Sequence, residues 1–101
     1  MDLQARLTQL QNDVLRLEPT ELDALLAATA LVREDDTHFA GMIRLLELEG
    51  ALFMQEQHPE SKELLVRRFQ DRQAADAFIQ DRLDTYERMW DGCGCKVHYF
   101  D

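Results

Sequence analysis

Basic side chains are the minority charge of this sequence. Eleven lysines and arginines stand against 20 aspartates and glutamates, a net charge of −9 over 101 residues. That balance repels phosphate backbones and anionic lipid surfaces. It speaks against a nucleic-acid or membrane partner and favours a basic protein surface. Cysteine is nearly absent as well: 2 residues are too few for a disulfide scaffold, so a reducing cytoplasm is the expected compartment. The longest apolar run lies around residues 25–32 and is broken by Thr29, far short of the ~20 residues that cross a bilayer. The first residues, Met1-Asp2-Leu3-Gln4-Ala5-Arg6, lack the basic flank and apolar stretch of a secretory signal. Gly-rich phosphate loops, Gly-x-Ser-x-Gly elbows and His-Glu-x-x-His motifs are also missing.

Hydrophobic residues make up 46% of the chain, which supports an ordered core in one small domain. Helical periodicity dominates. Leu3, Leu7, Leu10, Val14 and Leu17 form a heptad seam over residues 2–17, ended by Pro19. Thr20, with Asp23 three residues on, predicts the start of a second helix whose face carries Leu22, Leu25, Leu26, Thr29 and Val32. Residues 33–37 end it, and Asp35 or Asp36 would cap a third helix over 37–57. That third stretch is apolar around most of its circumference and should be central, with Gly41 and Gly50 admitting another backbone or a kink. A fourth helix begins after Pro59, buries Leu65, Phe69, Ala75, Ile79, Leu83, Tyr86 and Trp90, and stops at Asp91-Gly92. The polar run at 70–73 offers a bend or break. Strand-like alternation is confined to residues 96–100.

The expected fold is therefore all-α. It is a small antiparallel bundle of about four helices over residues 1–92, with a short non-helical Cys-x-Cys tail over 93–101. The heptad seam and the broad surface of the third helix exceed what a monomer of this size needs, so a homodimer, or a complex with another protein, is expected.

The tail holds the main chemical constellation. Cys93, Cys95 and His98 could supply two thiolates and an imidazole to zinc, copper or an iron–sulfur cluster. Structural zinc sites usually separate cysteines by two to four residues and need a fourth ligand. His58, an acidic residue or a second chain would have to provide it. Thiol–disulfide exchange is an alternative use of the pair, as is simple packing of the thiols beneath Trp90 and Tyr99. Tyr99 and Phe100 are expected to fold back near Trp90. His38, near Glu34 and Asp35, reads as helix-start capping, and residues 56–60 as an acidic turn. The arginines at 67, 68, 72, 82 and 88 interleave with acids and read as a solvated face. No acid, base and nucleophile set converges, so catalysis is not expected. A small metal-binding accessory protein is the first reading, and a non-catalytic interaction or dimerisation module the second.

Overall fold

The most apolar stretch of the chain folds as a hairpin rather than a helix. In a computed structural model, which describes residues 2–37 and 41–91, Met42–Leu48 (β3) and Ala51–Gln57 (β4) pair in antiparallel register from Leu48↔Ala51 to Arg44↔Gln55. Their link is the two residues Glu49 and Gly50, with φ of 51° and 84°. A tight type I′ connection demands positive φ at both positions, and glycine adopts it freely. Gly50, read from sequence as a close approach within a helix, is this turn.

Around the hairpin the described residues form a five-stranded antiparallel sheet with three helices, an α+β fold that overturns the expected all-α bundle. The element order is α1 (Leu3–Gln9), β1 (Val14–Leu17), α2 (Pro19–Ala28), β2 (Ala30–Asp36), β3, β4, β5 (Leu64–Phe69) and α3 (Arg72–Asp91). The strand order is β1-β5-β4-β3-β2. Strands β2 to β5 form a meander, and β1 reaches back to pair with β5 through Val14↔Arg67 and Leu17↔Leu64.

Two-sided burial explains why the helical reading failed. On one face Leu46, Phe53 and Val66 pack with Leu7, Leu10, Leu17 and Leu25 beneath α1 and α2. On the other, Ile43, Leu45 and Met54 pack with Ala75, Ile79 and Tyr86 of α3. A strand buried on both faces reads as a continuous apolar run, and periodicity alone cannot separate it from a buried helix. The presumed coiled-coil seam is divided in the same way. Leu3, Leu7 and Leu10 belong to α1 and its exit, whereas Val14 and Leu17 belong to β1. Leu7, Leu10 and Leu17 thus serve the chain's own core.

Local chemistry fixes the boundaries. Asp2 caps α1 by accepting from Ala5 N–H. Glu18 and Glu21 form the reciprocal capping box that starts α2, with Pro19 in the first turn; Thr20 and Asp23 do not serve as the cap. Arg6 pairs with Glu21 and ties α1 to α2. The break expected at 70–73 is present: β5 ends at Phe69, and Asp71 accepts from Ala74 N–H at 2.7 Å at the entry to α3. Helix α2 joins the two edge strands across one face, its ten residues reaching roughly 15 Å.

Buried and exposed leucines separate this fold from a bundle. Leu7→Ala should cost about 2–5 kcal/mol, since Leu7 is fully buried. Leu31→Ala should stay within ~0.5 kcal/mol, because Leu31 is 57% exposed. Urea midpoints of the two variants check this; equal losses would contradict the core assignment.

Candidate functional site

Two places concentrate polar chemistry: a carboxylate buried under α3 and the free side of β2. The sequence placed Glu56 in an acidic turn, yet it lies in β4 and is 3% exposed. Burying a carboxylate is tolerable only when donors surround it. Arg82, from α3, donates Nε–H to Oε1 at 3.2 Å and Nη2–H to Oε2 at 3.4 Å. Arg67, from β5, donates Nε–H to Oε2 at 3.3 Å. Both guanidinium groups also lie over the Phe78 ring, 5.3 Å and 4.9 Å from its centroid for Arg67 and Arg82. Phe78 in turn packs against Phe69 at 5.3 Å. Two arginines read from sequence as solvated therefore converge on one acid, a convergence that needed the strand register to be seen.

Tyr86 borders this cluster. Burial, followed by the negative charge of Glu56, pushes its hydroxyl up to about 12, while Arg82 partly opposes the shift. Glu56 accepts three hydrogen bonds from its two arginine partners, which tie α3 and β5 to β4. An open cleft of about 400 Å³ lies at the β3–β4 turn, lined by Gln11, Asn12, Gly50 and Arg68 among others. Its one cation, Arg68, donates to the carbonyl of Leu10 at 3.3 Å, fastening the chain after α1.

The free side of β2 is built differently. Its register against β3 slips between Leu31 and Arg33, so that six residues of β2 face five of β3. The bulge leaves Val32 packed towards the α3 core and turns Leu31 out. Past it, Glu34 pairs with Arg44 at 3.0 Å. Arg33 pairs with Asp35 at 2.6 Å and with Asp76 at 3.1 Å. The hydrogen bond to Asp35, opposed by partial burial, raises the Arg33 guanidinium above its ordinary value. Arg72, then Arg33, holds the Asp76 carboxyl below its usual range. These pairs pin the strand from its sheet side and leave its outer side without a strand neighbour among the described residues.

Cys93, Cys95 and His98, the expected metal ligands, lie outside the described residues, as does His38. Among the described residues no group of three or more His, Cys, Asp and Glu side chains is placed to hold a metal ion. His58 sits in the β4–β5 connection, where Nδ1 accepts from Glu60 N–H at 3.1 Å and Ser61 N–H at 3.2 Å. Among the same residues no helix is long and apolar enough to cross a membrane. Comparison with family models, curated proteins and solved structures gives no match.

Two outcomes test the buried cluster. Glu56→Ala should destabilise by about 3–5 kcal/mol by stranding two cations, whereas Glu56→Met combined with Arg67→Leu and Arg82→Leu should be close to neutral in urea denaturation. A triple variant as unstable as Glu56→Ala would assign the cluster more than a docking role. For Tyr86 the sign follows from its raised value. The unfolded chain loses this proton near pH 10 and the folded chain near 12. Stability is thus full below pH 10 and falls between 10 and 12, by on the order of 2 kcal/mol. Tyr86→Phe should flatten that decline in urea midpoints measured at pH 9 and 11.5; an identical decline in both chains would refute it.

Proposed function

We propose that this chain is a non-catalytic protein-binding module whose recognition element is the outer edge of β2. The observation that carries the reading is the condition of that edge: a seven-residue strand, terminal in the sheet among the described residues and bearing Leu31, 57% exposed, while helices cover both faces of the sheet. Added-strand recognition uses backbone hydrogen bonds for affinity and alternate side chains for specificity. The opposite edge, β1, has only four residues and presents Arg16. Short length and charge are ordinary protections of an edge.

Alternation defines what β2 would accept. Leu31, Glu34 and Asp36 share one face of the strand, with Val32 as the bulged residue. An antiparallel ligand would therefore carry basic residues opposite Asp36 and Glu34 and an apolar one opposite Leu31, in the order basic, any, basic, any, apolar. A second copy paired β2 to β2 over the same five positions would set Glu34 against Glu34 and Asp36 against Leu31, so a segment of another protein is the better-matched ligand. A metal-binding tail of Cys93, Cys95 and His98 for zinc, copper or an iron–sulfur cluster is the second reading, and its support is the sequence spacing alone.

The test is titration of the full chain with a blocked pentapeptide of lysine, threonine, lysine, threonine and leucine. Backbone amide resonances of β2 should shift at sub-millimolar to millimolar peptide, and Leu31→Lys should weaken the interaction at least fivefold. Absence of shifts, or shifts confined to other strands, would refute the β2 reading.

A further inference from the structure

The helical layer above the sheet stops short at one end. Helix α1 finishes at Gln9, and the sheet face beyond it is polar. Arg68 stands opposite Phe53 in the strand register, so it shares the face that α1 and α2 cover. With Gln11, Asn12, Gly50, Ala51 and Gln70 it opens onto a cleft of about 400 Å³. We infer that this cleft binds the carboxylate of an acylated amino acid, the group found at a peptide C-terminus, with the Arg68 guanidinium as its anchor. The cleft shares no residue with β2, so the inference is independent of the β2 reading.

Three features carry it. The first is a free guanidinium edge. Arg68 Nη1–H donates to the carbonyls of Thr8 and Leu10 at 3.5 Å and 3.3 Å. These bonds hold the guanidinium plane, while Nε–H and Nη2–H have no partner among the described residues. Those two donors share one edge and form the fork that takes both oxygens of a carboxylate. An anchored guanidinium has already given up part of the freedom that binding costs. The second is the surroundings. The carboxamides of Gln11, Asn12 and Gln70 have no side-chain hydrogen bond among the described residues either. Each presents two donors and an acceptor, the complement of a peptide group. The third is charge. One guanidinium balances one negative charge. Asp13, Glu49 and Asp71 adjoin lining residues along the chain without lining the cleft. Their field disfavours a doubly charged ligand, and a phosphate group brings about −1.5 to −2 charges at pH 7. The volume falls within the ~300–1,000 Å³ of small-ligand pockets.

The test is an NMR titration of the full chain with acetyl-alanyl-alanine, whose carboxylate is free, and with the same peptide ending in a carboxamide. The Arg68 Nε–H resonance and the side-chain amides of Gln11, Asn12 and Gln70 should shift with the free acid. The carboxamide form should bind at least fivefold more weakly, because it cannot make the charge-assisted pair. Arg68→Lys should weaken binding of the free acid at least fivefold, since an ammonium has no fork. The comparison of the two peptides needs no variant, so it decides the matter even where loss of the Arg68 bonds to residues 8 and 10 unfolds that protein. Acetyl-alanine binding as tightly as the free-acid peptide would support the site and assign it to a small acylated amino acid; tighter binding of the peptide would assign it to a peptide end. Equal affinity for the acid and the carboxamide would overturn the inference, as would an unmoved Arg68 Nε–H resonance. Inorganic phosphate binding more tightly than the peptide would overturn it too, because the cleft would then be a general anion site. The blocked pentapeptide used on β2 has no free carboxylate, so its failure to bind would leave this result untouched.

Discussion

Burial of the β3–β4 hairpin on both faces is the constraint from which the rest of the structure follows. Leu46 and Phe53 point to one side, Leu45 and Met54 to the other, so a single helical layer would leave half of them in water. The chain resolves this with α1 and α2 on one side and α3 on the other. That choice commits almost every large apolar side chain to the interior: Leu31 stands alone among the described residues as a large hydrophobe left exposed. With both faces covered, the sheet has only its edges for backbone-mediated contact, and of these β2 is the longer.

Charge follows the same geometry. Glu56 sits where α3 crosses β4 and β5, and its two arginines come from two different elements. A buried ion cluster of this kind is weak evidence for stability but fixes how elements align. Sliding α3 by one turn would move Arg82 away from Glu56 and part Asp76 from Arg33. The ionic contacts thus add a position-specific term to the apolar packing of Ala75, Ile79 and Tyr86 in setting where the helix lies.

Much of the local chemistry was legible in the sequence and little of the topology was. Pro19 does mark an element boundary, residues 70–73 do separate two elements, and Arg72–Asp91 is a helix, but the helix expected to start at Pro59 is instead a connection followed by β5. Residues 37–57 were misread because leucine, methionine and phenylalanine on every side suit a central helix and a doubly covered strand equally well. Glu49-Gly50 was the available discriminator: a glycine preceded by a polar residue between two apolar runs of equal length is a hairpin signal. Leu3 to Leu17 kept heptad spacing across a helix, a turn and a strand, an accident of spacing that only pairing with β5 exposes. The candidate sites fared likewise. Glu56, Arg67 and Arg82 are separated along the chain and meet only through strand register, whereas Cys93, Cys95 and His98 stood out because they are adjacent in sequence.

The pairing of β1 with β5 has a consequence for how the protein is made. Val14 waits for Arg67, about fifty residues later in the chain, and closing so long a loop is slow compared with zipping the neighbouring strands of the meander. On a ribosome that delivers the N-terminus first, α1 and β1 emerge before the surface that will bury Leu7, Leu10 and Leu17 exists. Those leucines lack part of their packing surface until β5, which carries Val66, has been synthesised. Glutamate and aspartate at positions 2, 13, 18 and 21 keep that leading segment soluble in the interval. The acidity that gives the chain its net charge of −9 thus also protects the nascent chain.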